Sequence, residues 1–360
     1  MEKPISAAML SIASTRLNEE EKKLLEQANP LGVSLFARNI KDKEQLRLLT
    51  REIRETIGRE DVLIAVDQEG GRVRRLSEPE FRPYASQAAL GSIADAELRE
   101  TAVRDHAFLI SADLQDTGIN WNYAPCLDTA FDDTTPVLKN RCFGGNEKEI
   151  AACGKLMVEE YTANGICPCI KHMPGHGRAT SDPHLGLPVL NHSLQELEKD
   201  FYPFRQLRHA PAGMTAHIMI PSVDGQNPIT QSPKGIKEII RGIIGFDGLL
   251  ISDAIDMHAL KGSLGERTRR SLEAGCDCVC YCFGETDGLR EVIAHCGFMT
   301  DKSMIRFAKI KNIIKNKLQK KNIEKTAAEY QSIIGKIDEY NGGYDATEVL
   351  HKMMQANARR

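Results

Sequence analysis

Short apolar runs, many of them β-branched, recur along this chain with amphipathic stretches between them, and this alternation restricts its fold more than any other feature. A strand covered on both faces reads as a continuous apolar run, and its parallel neighbour needs a crossover that is usually a helix. Eight such runs are present: Ile5 to Ile12, Gly32 to Phe36, Val62 to Val66, Ile119 to Ala124, Cys167 to Lys171, Gly213 to Ile218, Leu249 to Ser252 and Cys276 to Tyr281. Helical periodicity fills the gaps at Asn18 to Gln27, Lys43 to Ile57, Ala96 to Asp116, Glu147 to Ala163, Leu194 to Leu207, Pro233 to Ile244 and Gly265 to Ala274. Asn18 before three glutamates and Ser232 before a proline mark helix starts. The order predicts an α/β fold, a single (β/α)8 TIM-type barrel over residues 1–300 with a helical C-terminal extension over 301–360. The 360 residues suit one such domain, since barrels routinely exceed about 250 residues. In the extension Ile305, Ile310, Ile313, Ile314 and Leu318 form an apolar stripe, expected to pack on the outside of the barrel. No linker rich in proline or serine separates it, so it is read as part of the same domain.

Charge and cysteine content narrow the possible partners. Lys plus Arg total 47 and Asp plus Glu 50, with no basic tract that could follow a phosphate backbone, so no nucleic-acid partner is expected. Met1 to Ile5 lacks the character of a signal peptide, and no stretch approaches the ~18 apolar residues of a membrane span, so a cytoplasmic location without membrane contact is expected. Cys276, Cys278, Cys280 and Cys282 alternate along one strand, where same-side neighbours run in a line and do not converge on a metal. The ten cysteines are therefore read as reduced core thiols. A monomer with neither cofactor nor metal is expected.

Barrel enzymes carry their chemistry at the C-terminal ends of the strands, and those ends are polar here. The third run is followed by Asp67-Gln68-Glu69-Gly70-Gly71-Arg72-Val73-Arg74-Arg75, and the fifth by Lys171-His172, then Pro174-Gly175-His176-Gly177 and Asp182-Pro183-His184. The sixth gives His217, the seventh Ser252-Asp253, and the segment after the fourth ends in Asn140-Arg141. One strand-end aspartate is usually a cap or a structural acceptor. Asp67, Lys171, His172, His217 and Asp253 together would meet at one mouth, where buried charges are costly unless paired or used.

The strings VDQEGGRVRR, NYAPCLD with NRCFGG, IKHMPGHG with DPHLGLP, MTAHIMIP and GFDGLLISDAIDM, in this order from about Gly32 to Phe283, resemble the signatures of glycoside hydrolase family 3. They are most similar to its compact bacterial branch, the β-N-acetylglucosaminidases of peptidoglycan recycling. The specific part is KH-x-PGHG with D-x-H after a short gap. The resemblance implies Asp253 as nucleophile, His184 as general acid/base and Asp182 as its partner. It implies Asp67, Arg75, Arg141, Lys171 and His172 as holders of the terminal GlcNAc hydroxyls, with His217 nearby. The implied substrate is a small carbohydrate, a GlcNAc-anhydroMurNAc muropeptide. Two positions depart from the pattern: Arg178 stands where many relatives have an acid, and Pro183 stands between the dyad partners where serine is common. Pro183 fixes φ and would stiffen the loop.

The same chemistry can be argued without the family. Retaining hydrolysis needs a carboxylate to form the glycosyl-enzyme bond and an acid that later returns as base. A histidine titrates near neutral pH, and an aspartate two residues away can orient it and favour its protonated ring. A metallohydrolase built on His172, His176, Asp182, His184 and Asp253 is the first rival, weakened because Pro174 and Gly175 break the helix that i, i+4 histidines need. A non-catalytic sugar-binding protein is the second, and a related family 3 glycosidase with broader sugar tolerance the third.

Overall fold

The computed structural model describes residues 3–179 and 186–337. Its strands are β1 (Ser6–Ser11), β2 (Pro30–Leu35), β3 (Leu63–Val66), β4 (Trp121–Asn122), β5 (Cys167–Met173), β6 (Ala212–Thr215), β7 (Leu249–Ala254) and β8 (Cys278–Cys280). They pair in parallel in chain order, and β8 closes on β1 through Ala8–Val279 and Met9–Cys280. The fold is the (β/α)8 barrel that the alternation of apolar runs predicts.

Period-two alternation divides the strand residues between two cores. Met9, Leu31, Leu63, Ala65, Trp121, Cys167, Ala212, Leu249 and Cys278 fill the barrel interior. Ala8, Leu10, Val33, Leu35, Ile64 and Val66 face the helices outside. All ten cysteines are free and buried, with Cys278, Cys280 and Cys282 in the interior.

β4 is much shorter than its apolar run, because side-chain amides replace parts of its ladder. Asn120 accepts from the Ile64 amide at 2.8 Å and donates to the Val62 carbonyl at 3.0 Å. Asn122 does the same for Gln68, accepting at 3.0 Å and donating at 2.9 Å. Pro125, which has no N–H, then ends the run.

The C-terminal stripe packs differently from the expectation. Helix Asp301–Ile313 buries Phe307 and Ile310 in the interior core, with Met304 and Ile314 against it, so it closes the floor of the barrel. Ile305 is 65% exposed. Ser303 and Arg306 fasten this helix to Asp277, just before β8, at 2.6 and 2.7 Å. Periodicity identifies a helix but not which of two similar faces finds a partner, and the aromatic Phe307 decides it here. Helix Ile323–Ile334 lies on the outer wall against helix Ala96–Asp116. There the Tyr330 hydroxyl meets His106 Nδ1 at 2.8 Å, and His106 Nε2 donates to the Glu69 carbonyl at 3.0 Å.

Candidate active site

The polar strand ends converge at the mouth opposite that floor. The loop after β3 turns on Gly70 (φ 101°) and Gly71 (φ 57°), and a Cβ at Gly70 would lie 2.1 Å from the Ala85 carbonyl oxygen, so only glycine fits. Gln68 holds the returning chain, its Oε1 accepting from the Arg75 and Leu76 amides at 2.9 and 3.0 Å. The turn brings Arg75 back to Asp67 at 3.3 Å, while Arg74 points to solvent.

Three cations and two carboxylates form one buried network. Lys171 Nζ donates to Asp67 Oδ1 at 2.8 Å and to Glu69 Oε1 at 2.6 Å. Arg141 grips Glu69 with two prongs, Nη2 to Oε1 at 2.7 Å and Nε to Oε2 at 2.9 Å. The side chains of Lys171 and Glu69 are each 1% exposed. Burial alone would raise the Glu69 carboxyl, but Arg141 and Lys171 outweigh it and hold it far below the usual carboxylate range. For Asp67 burial is again the largest influence, outweighed by Lys171 and Arg75, which lower it. Burial opposes the Lys171 ammonium, and Asp67 and Glu69 more than restore it. Every member is therefore charged at neutral pH. The two acids offset all but one of the three positive charges, so what the network mainly offers a neutral ligand is directional donors. Asp67, with its side chain 18% exposed, adds an acceptor edge.

His172 is fixed from behind. Its Nδ1 donates to Asp128 Oδ2 at 2.7 Å, and its Nε2 lies 3.3 Å from Arg141 Nη2. Asp128 also accepts from the His176 amide at 2.6 Å and from Cys126 Sγ at 3.3 Å. Burial pushes the Asp128 carboxyl up, but His172 and His176 pull it down to about 2. Cys126, Asp128 and His172 are the group of metal-type donors within 4.8 Å of one another among the described residues. These donors already bond to each other. They act as a hydrogen-bonded bracket that fixes the His172 ring, and they share only His172 with the ligand set of the metallohydrolase alternative.

Asp253 ends β7 across the mouth, 8% exposed, with Oδ1 accepting from the Ala254 amide at 2.8 Å. Its own amide lies 3.4 Å from Thr215 Oγ1, and Thr215 contacts Thr230 Oγ1 at 2.8 Å. The Nδ1 of His217 pairs with Thr230 Oγ1 at 2.8 Å and its Nε2 donates to the Ala254 carbonyl at 2.9 Å, so it braces the strand end that carries Asp253. A strand-end histidine reads the same in sequence whether it faces the mouth or the next strand.

The loop after β5 leaves this mouth through Gly177, where a Cβ would lie 1.8 Å from the Thr129 carbonyl oxygen. Arg178 then ties the loop down, donating to Asp200 Oδ2 at 2.7 Å and the Glu196 carbonyl at 2.9 Å, 4.2 Å over the Phe131 ring. Asp182, Pro183 and His184 lie outside the described residues.

Residues 5–313 match the model of the glycosyl hydrolase family 3 N terminal domain. The chain belongs to glycosyl hydrolase family 3. It is 39% identical over 287 residues to a beta-hexosaminidase of Neisseria meningitidis serogroup B, covering 78% of each chain. A beta-hexosaminidase of Bordetella avium is 34% identical over 286 residues, covering 78% of this chain and 81% of that one. The crystal structure of NagZ from Neisseria gonorrhoeae in complex with N-trifluoroacetyl-D-glucosamine superposes with a TM-score of 0.82 at 33% identity, covering 92% of this chain and 98% of that one. As a family 3 member the chain is a glycoside hydrolase. Motif reading brought Asp67, Arg75, Arg141, Lys171, His172 and Asp253 to this mouth, but it left out the Glu69 hub, the Asp128 bracket and the Thr215–Thr230 brace. Asp128 carried a signal, since it closes the NYAPCLD string.

Proposed function

We propose that the chain is a retaining exo-β-N-acetylglucosaminidase that removes terminal non-reducing β-GlcNAc from muropeptide fragments, GlcNAc-anhydroMurNAc-peptides, during cytoplasmic cell-wall recycling. The observation that carries this reading is the paired network of Asp67, Glu69, Arg141 and Lys171 facing a strand-end carboxylate, Asp253, across one mouth. Such a network suits a polyhydroxylated neutral ring, because it supplies several oriented donors and acceptors at little net charge. The beta-hexosaminidase relatives and the N-trifluoroacetyl-D-glucosamine complex support an N-acetylated hexosamine as that ring. No helix among the described residues is long and apolar enough to cross a membrane.

In this reading Asp67, Arg75, Arg141, Lys171 and His172 hold the hydroxyls of the sugar. Asp253 attacks the anomeric carbon while His184, oriented by Asp182, protonates the departing oxygen. His184 then takes a proton from water as the glycosyl-Asp253 ester is hydrolysed, and the β configuration returns. Comparing hydrolysis of the 4-nitrophenyl β-glycosides of GlcNAc and glucose tests the assignment. The GlcNAc glycoside should be strongly preferred, and equal rates would favour a broad β-glycosidase.

A second outcome isolates the proton carrier. The acid matters in the first step only for a poor leaving group, whereas the base matters in the second step for all of them. His184→Ala should therefore accumulate glycosyl-enzyme with activated phenols, lowering KM together with kcat, and lose far more kcat/KM with a sugar leaving group. Asp182→Asn should show a milder form of the same pattern. Equal losses across a series of phenols, with no burst, would remove His184 from this role.

A further inference from the structure

His176 is buried, 5% exposed, and its backbone amide is held by Asp128 Oδ1 at 2.6 Å. Its ring stands edge-on to that of His172, with centroids 5.9 Å apart. Yet neither Nδ1 nor Nε2 has a hydrogen-bond partner among the described residues. An imidazole carries polar groups on both nitrogens, and burying them unmet is costly, so such a ring inside a site calls for a polar ligand. Its contacts mark its position, beside Asp128 and His172. Asp128, His172 and Arg141 belong to the hydroxyl-binding side and Asp253 to the reacting side, and all four influence this one ring. Its amide on Asp128 and its ring against His172 place His176 on the hydroxyl-binding side of the mouth.

We propose that His176 is a further substrate-binding residue, its imidazole hydrogen-bonding a polar group of the terminal sugar beside His172. This inference rests on the glycosidase reading above. Burial pushes the ring down to about 4, against Asp128 and Asp253, so it is uncharged at neutral pH. A neutral donor and acceptor fits there, because a cation would stabilise the Asp253 carboxylate and weaken it as a nucleophile.

The test compares His176→Phe, which keeps a flat ring without hydrogen-bonding groups, with His176→Gln, which retains a donor and an acceptor. With 4-nitrophenyl β-GlcNAc, His176→Phe should lose at least about tenfold in kcat/KM while its melting temperature holds or rises, because an apolar ring suits a buried position without partners. His176→Gln should recover most of the loss. A purely structural histidine would give the opposite pairing, lower stability with unchanged kcat/KM in the folded fraction, and that result overturns the proposal. If His176→Phe does not fold, 15N NMR of the wild-type ring decides: saturating GlcNAc should shift its nitrogen resonances, and unmoved resonances overturn the assignment. A wild-type protein that neither binds GlcNAc nor cleaves the aryl glycoside would fail the glycosidase reading itself and this inference with it. Normal wild-type turnover beside an indifferent His176→Phe fails His176 alone.

Discussion

Asp253→Ala is expected to fold normally and to lose at least about a thousandfold in kcat, as removal of a covalent nucleophile does. Its fold should persist, because the barrel is built on the ladder of β7 with β6 and β8 and on the buried apolar cores rather than on this side chain. The loss should be chemically specific. Added azide, small enough to occupy the space of the missing carboxylate, should attack the anomeric carbon from the same face and yield the α-glycosyl azide. Steady-state kinetics with 4-nitrophenyl β-GlcNAc and NMR of the azide product check both parts. A variant with kcat within tenfold of wild type would place the nucleophile elsewhere.

Glu69→Ala should be the most damaging change behind the site. It leaves Lys171 with Asp67 as its remaining named partner and Arg141 without its two-pronged carboxylate. Breaking a buried pair of this kind costs about 3–5 kcal/mol, which for a chain of 360 residues corresponds to a fall of roughly 4–7 °C in melting temperature. Activity should fall at least about a hundredfold, because displacing sugar-binding groups by about 1 Å has effects of that order. The pH dependence has a definite sign. The Glu69 carboxyl is held below its ordinary value of 4.5, so its contribution is present above that pH and is lost as pH falls toward the folded value. Wild-type stability should therefore drop through the acid window below about pH 4.5, and Glu69→Gln should flatten that slope. Calorimetry of both proteins between pH 3 and 7 measures it, and parallel slopes would contradict the network's electrostatics.

Much of the architecture was legible because a parallel barrel writes itself as apolar runs separated by amphipathic helices. Lys43–Ile57, Ala96–Asp116 and Glu147–Ala163 begin and end where periodicity and caps place them. Less legible was whatever depends on which partner a face meets. The 301–313 helix has apolar residues on more than one face, and its floor contact follows from Phe307 reaching the barrel interior. The site shows the same division. Asp67, Lys171 and Asp253 follow directly on strands, so strand direction alone brings them to the mouth. Glu69 becomes a hub only because Gly70 and Gly71 reverse the chain beneath it, and Asp128 reaches His172 only after Pro125 has ended the β4 run. His217 carries the same strand-end pattern as Lys171, yet its nitrogens close on Thr230 and Ala254.

The central claim is a covalent glycosyl intermediate on Asp253, and trapping measures it most directly. Incubation with a 5-fluoro β-GlcNAc donor bearing a good leaving group, followed by proteolysis and mass spectrometry, should place one fluorinated sugar on the peptide containing Asp253. Early 1H NMR of the uninhibited reaction should show the β-anomer first. An unlabelled Asp253 peptide together with the α-anomer as first product would establish inversion and contradict the account.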